Sequence, residues 1–211
     1  MKKISPRSLL IVLLLSGACG LRPPIADGSW TAPLDILAEP AQEPHEGEGF
    51  FRYFPRGQAH LQPVARYRLN GILKGKRAYR KGWNSRLSPM DLVVIWGELT
   101  SPEYDRLIQY RQRNRWYYYR FPSGFPQTRQ FIVRHSSNNH IIPATDNLRR
   151  LLRTFRKGQV LSLEGYLVNI NATAGHRRFW WNTSRSREDS GDGSCEIIYL
   201  TRVITGGKIY H

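Results

Sequence analysis

A single short amphipathic segment, set among apolar runs of β-forming residues, limits what this chain can fold into more than any other feature. Leu148, Leu151, Leu152 and Phe155 fall at i, i+3, i+4 and i+7, which predicts a helix over 146–157 with one apolar stripe. Thr145 or Asp146 can cap its start, and Gly158 suits the position after its end. Arg149, Arg150, Arg153 and Arg156 are left for its outer faces. Strands are predicted over 64–73, where Ala65, Tyr67, Leu69, Gly71 and Leu73 share one side, and over 91–99, around the apolar run Leu92 to Trp96. Within residues 101–113 a short helix is expected after the Ser101-Pro102 start, and 115–121 read as a strand by aromatic content, with Trp116, Tyr118 and Arg120 on one face. Further strands are expected at 130–134, 159–170, 178–182 and 196–203. The result is a mainly β (α+β) chain. A helix between the third and fourth strands is the arrangement of an OB-like small barrel. Leaving a helix at one glycine (Gly158) and curving at a second (Gly165) also suits such a barrel. A curved antiparallel sheet covered by the one amphipathic helix is the alternative.

The amino terminus is read separately. Lys2, Lys3 and Arg7 precede an apolar run from Leu9 to Leu15, and small residues follow, so residues 1–18 have the order of a secretory signal peptide. Leu15-Ser16-Gly17-Ala18-Cys19 also has the form of a lipobox, with Ser16 where leucine is usual. Lipidation of Cys19 is the expectation, and plain cleavage after Ala18 the alternative. Gly20 after the cysteine resembles enterobacterial sorting signals, and that resemblance implies the outer membrane, so an outer-membrane lipoprotein on the periplasmic side of a bacterial cell envelope is expected. Residues 19–49 carry five prolines and no sustained period, and they read as a tether. From residue 20 on, that tether holds six acidic residues against Arg22 alone. The remaining domain, 50–211, is basic, with 28 Lys and Arg against 10 Asp and Glu. Two cysteines in the whole chain exclude a disulfide scaffold and a four-cysteine zinc site.

Two polar stretches are unusual. Residues 134–144 hold His135, Asn138 and His140 ahead of Pro143, which argues for a loop. Residues 181–196 hold Arg185, Arg187, Asp189 and Cys195. As chemistry, Cys195 would be a nucleophile, His135 or His140 its base, and Asn138 or Asp189 the orienting group. Metal binding would draw on the same histidines with Asp189 and Cys195, but the spacing matches no standard pattern, and neither a metal nor a cofactor is expected. The architectural reading is a polar network that fixes turns, with Cys195 as a small core residue at the start of an apolar strand.

Both stretches, together with Leu87-Ser88-Pro89-Met90-Asp91 plus Trp96-Gly97 and Asn114-Arg115-Trp116-Tyr117-Tyr118, resemble blocks of a group of bacterial envelope-anchored proteins. Members carry His-Ser-x-Asn-x-His-x-Ile-Pro-Ala and, later, Ser-x-Ser-Arg-x-Asp-x-Gly-x-Gly-x-Cys-Glu. The resemblance spans about residues 63–203. It implies an envelope location and no mechanism, and the lipobox and acidic tether depart from the group's simple membrane anchor.

Basic side chains interleave with aromatics at Arg115, Trp116 and Tyr118, and cluster at Arg77, Arg80, Lys81 and Arg86 and at Arg106, Arg111 and Arg113. With Arg149, Arg153, Arg185 and Arg187 they form the expected ligand-binding set. Arginine suits phosphate and carboxylate, and exposed aromatics suit stacking. The expected partners are the membrane, through the lipid anchor, and a polyanion: lipopolysaccharide, anionic lipid, peptidoglycan or single-stranded nucleic acid. The function expected is a binding or scaffolding module for an anionic ligand or an envelope protein partner. The alternatives are an envelope hydrolase or metal-dependent enzyme using the Cys/His/Asp constellation, and a subunit of a larger envelope assembly such as a secretion apparatus.

Overall fold

The computed structural model describes residues 22–186, 188 and 194–211. The signal segment, Cys19, Arg187 and Asp189 lie outside the described residues. Alternating apolar side chains build the first long strand. β1 (Gly28–Ser29), β2 (Ala41–Pro44) and β3 (Phe50–Phe54) lead into β4 (Gly57–Ala78), which runs 22 residues. After the short α1 (Asn84–Leu87) comes β5 (Met90–Ile95), buried at every position. A 3-10 turn over Gly97–Thr100 and α2 (Pro102–Asp105) lead to the hairpin β6 (Gln109–Arg113) and β7 (Trp116–Arg120). α3 (Arg129–Arg134), β8 (Ser136–Pro143) and α4 (Asp146–Thr154) follow. The chain ends with β9 (Val160–Ala174), β10 (Arg177–Trp181), β11 (Glu196–Thr205) and β12 (Lys208–Tyr210).

Five strands close a ring: β4 pairs with β5, β5 with β8, β8 with β11, β11 with β9, and β9 with β4. The β8–β11 pair is parallel and the others are antiparallel. The helix α4 joins the third ring strand to the fourth, so the chain is a mainly β, OB-like barrel rather than a wholly antiparallel sheet. The stripe Leu148, Leu151, Leu152 and Phe155 joins the barrel interior with Tyr67, Leu69, Leu92, Trp96, Leu163 and Ile198. Thr145 caps α4 by accepting the Leu148 N–H at 3.2 Å. Gly158 (φ 86°) turns the chain into β9.

The register shift between Pro63 and Ala65 is what lets β4 serve two cores. It places Leu61 and Ala59 in a second cluster outside the barrel, while Ala65, Tyr67 and Leu69 enter the interior. Pro63, which would break a regular ladder, sits at this irregularity.

Several local expectations are corrected. The short helix after Ser101 is α2, but residues 109–113 beyond it form a strand, because pairing with β7 turns Tyr110 inward to the third apolar cluster. Residues 129–134 form a helix, because Thr128 accepts the Phe131 N–H and nucleates the first turn. The polar stretch after His135 is a fully buried ring strand rather than a loop, since its ladder partners on both sides satisfy the backbone. The segment expected as a tether runs along the barrel from residue 22. β1 pairs with β12, β2 with β4, the Gly97 N–H bonds the Ile36 carbonyl, and the Asn147 side chain bonds both backbone groups of Ile25. Among the described residues, no helix is long and apolar enough to cross a membrane.

A Cβ at Gly165 would run into the backbone carbonyl of Tyr199, on the strand facing it. Gly165→Ala therefore forces the β9–β11 seam apart and is expected to cost about 1–3 kcal/mol in chemical denaturation, the scale of core overpacking. An unchanged midpoint would show that the seam tolerates the methyl group.

Candidate functional site

An acid at the head of an apolar strand is the starting point. Asp91 lies on the outer face of β5 and is 0% exposed. Its register partner across the ladder is His140. The Asp91 Oδ1 atom accepts from Arg115 Nη1 at 2.7 Å and lies 2.9 Å from His140 Nδ1. Arg115 comes from the two-residue turn that joins β6 to β7. Asn114 (φ 53°) and Arg115 (φ 71°) are both left-handed there, the conformation a tight hairpin of this type needs. An arginine in that region costs about 1–2 kcal/mol, so the contacts it makes must outweigh the strain.

Those contacts are numerous. Arg115 Nη2 donates to the Ser88 carbonyl at 2.9 Å, and the guanidinium lies 3.8 Å from the Tyr79 ring centroid. The Arg115 N–H donates to Tyr79 Oη at 3.0 Å, and its carbonyl accepts from Asn138 Nδ2 at 2.9 Å. Gln112 donates to Asn138 Oδ1 at 2.8 Å. Burial first, and the charge of Asp91 second, raise the Tyr79 pKa, so it is the neutral phenol that receives the Arg115 N–H. Tyr117 is raised further, by burial above all, and its hydroxyl sits 3.2 Å from Ser136 Oγ. The β6–β7 hairpin is thus clamped over the outer face of β5 and β8, the face that OB-type barrels use for ligands.

The residues proposed for catalysis separate under this geometry. Asn138 and Cys195 come together, with Asn138 Nδ2 3.7 Å from Cys195 Sγ, while the His140 ring packs on Trp181 with centroids 4.6 Å apart. Asn138 and His140 are buried, while Cys195 is half-buried. His135 belongs elsewhere, at the end of α3. Its Nδ1 meets the Phe131 carbonyl at 2.8 Å, and its Nε2 is 4.0 Å from Glu39. Among the described residues, no three His, Cys, Asp or Glu side chains gather where they could hold a metal ion.

The proposed ligand-binding arginines separate too. Arg115 is spent on Asp91. Arg149 and Arg153 line a cleft of about 430 Å³ with Tyr79 and Arg80, and burial lowers the Arg149 pKa, with Asp146 opposing the shift. Arg185 is exposed beside a different cleft, next to His45 and Glu46. The hairpin presents a cleft of about 700 Å³, lined by Arg111, Arg113, Tyr118 and Arg120 among others and, among the described residues, by no acidic one. The register Gln109↔Arg120, Arg111↔Tyr118 and Arg113↔Trp116 puts these side chains on one outer face. Tyr118 is 52% exposed and Trp116 half-buried.

Sequence reasoning passed over Asp91, Tyr79, Gln112 and Arg120 as site residues. A lone acid opening the apolar run at 91–95 was the available signal, because a buried charge needs a partner. All four sequence blocks meet at this cluster: Ser88 and Asp91, Arg115 and Tyr117, Asn138 and His140, Trp181 and Cys195. Comparison with protein-family models, with curated proteins and with solved structures found no match to this chain.

Arg115→Ala would leave the Asp91 carboxylate buried without its guanidinium, and a loss of about 3–5 kcal/mol in equilibrium unfolding is expected. Combining it with Asp91→Asn removes the orphaned charge and should recover a large part of that loss. Equal costs for the single and double variants would show that the pair does not hold the hairpin.

Proposed function

We propose that this chain is an exported, lipid-anchored module of the bacterial envelope whose β6–β7 hairpin binds an anionic ligand. The observation that carries the reading is the outer face of the hairpin. Arg111 and Arg113 lie two residues apart on one side of β6, about 7 Å along the strand, with Arg120 on the neighbouring strand. The described residues give none of the three an ion-pair partner. Tyr118 stands opposite Arg111, and Trp116 opposite Arg113. Guanidinium groups at regular intervals beside exposed rings suit a ligand with repeated phosphate or carboxylate groups.

The polar constellation supports a binding role over a catalytic one. Asn138 spends both ends of its amide on the hairpin, and His140 is packed between Asp91 and Trp181. These residues act on the hairpin's position. The export signal in residues 1–18 and the lipobox at Cys19 would set the hairpin among lipopolysaccharide phosphates, anionic headgroups and peptidoglycan carboxylates. The Arg80, Arg149 and Arg153 cleft offers a second basic surface.

Titration with lipopolysaccharide and with phosphatidylglycerol vesicles is the direct test. Wild-type binding should weaken as salt rises. Arg111→Gln, Arg113→Gln and Arg120→Gln together should lower affinity about tenfold at low salt and flatten the salt dependence. Affinity unchanged in the triple variant would overturn the assignment to the hairpin.

A further inference from the structure

β3, the first part of β4, the last part of β9, and β10 form a four-stranded extension beside the barrel. Its two faces differ in kind. One carries Phe50, Leu61, Ile170 and Trp181 in one cross-strand row and belongs to the second apolar cluster. The other face is open among the described residues. Across it the register aligns Phe51, His60, Asn171 and Trp180 in one row, and Tyr53, Gln58, Thr173 and Arg178 in the next. Trp180 is 76% exposed, Tyr53 76% and Phe51 51%. Three of the four exposed large aromatics among the described residues lie on this one face, with Tyr118 the exception, so the concentration calls for a physical reason.

We propose that this face is a glycan-binding platform, independent of the anionic site on the hairpin. Its aromatic margins stand about 14 Å apart, three strand spacings, with Trp180 at one edge and Phe51 and Tyr53 at the other. A shelf is already formed at the second edge: the Phe51 and Tyr53 rings stack with centroids 6.2 Å apart, and Phe51 packs on His60 at 5.0 Å. Between the margins lie amide, hydroxyl and imidazole groups that both donate and accept hydrogen bonds. A sugar ring has this composition in reverse, with C–H faces to stack on aromatics and a rim of hydroxyls to bond with amides. The charge of the face separates it from other occupants. Among the described residues its two rows hold no acidic side chain and only Arg178 as an arginine or lysine, in a protein of net charge +16, so a polyanion would find better surfaces elsewhere. The polar groups along its middle disfavour an acyl chain or a second apolar face.

The test is equilibrium binding of chitohexaose and cellohexaose to the full-length chain, followed by tryptophan fluorescence and calorimetry. Saturable binding with little salt dependence is expected for at least one of them. Trp180→Ala, and Phe51→Ala with Tyr53→Ala, should each weaken it about tenfold, while Trp180→Phe retains most of it. These side chains are exposed, so thermal unfolding should stay close to wild type. Trp180→Ala should leave salt-sensitive binding of lipopolysaccharide unchanged, which keeps this result separate from the fate of the hairpin site. No binding of either oligosaccharide, or binding indifferent to all three substitutions, overturns the proposal. So does finding that the substitutions abolish binding to neutral vesicles or self-association instead.

Discussion

The carboxylate of Asp91 is buried in the wall of a closed barrel, where water cannot solvate it. A charge in that position persists only when paired and hydrogen-bonded. The cation that answers it comes from a hairpin tip 24 residues away, held in a strained left-handed turn. Once Arg115 is seated, much of the surrounding arrangement is determined. The Tyr79 ring stacks on it, Ser88 and Asn138 bond to it, Gln112 reaches Asn138, and the hairpin cannot slide without unpairing Asp91.

This anchorage separates two kinds of work within ten residues. The inner face of the hairpin is bound into the network through Gln112 and Tyr117, while the outer face carries arginines and Tyr118 into a cleft. A two-stranded ribbon alone in water is marginal at best, and a basic one also repels itself. Pinning its tip to a buried acid gives the arginines a fixed spacing, and a fixed array would lose less entropy in the anion binding proposed for it. The same economy appears on the strand extension, where the second apolar cluster holds the sheet rigid and frees its other face for exposed rings.

Legibility in the sequence followed the range of the interactions involved. The helix stripe at Leu148, Leu151, Leu152 and Phe155, its Thr145 cap and the Gly158 exit are local patterns, and each appears as read, although the helix proper ends at Thr154. The facing of Trp116, Tyr118 and Arg120 follows from the two-residue period of a strand. Residues 136–140 defeated the same reasoning. Ser, Asn and His are turn-formers by propensity, and only ladders on both sides make them a central strand. His135 and His140 looked like one constellation from five positions of separation, yet a helix end and a strand direct them to different surroundings.

Composition and periodicity by themselves determined a mainly β chain with one amphipathic helix between strands, a basic domain after an acidic lead, and a cluster of arginines near 106–115. These depend on side-chain chemistry and on spacings of two to four residues. Tertiary structure alone decided that Arg115 is a structural cation rather than a ligand-binding one, and that Asn138 and His140 serve the hairpin. It also decided that Trp180, Asn171, His60 and Phe51, from four separate strands, share one open row. Burial and cross-strand register belong to pairs of distant segments, and no single segment carries that information until the ring has closed.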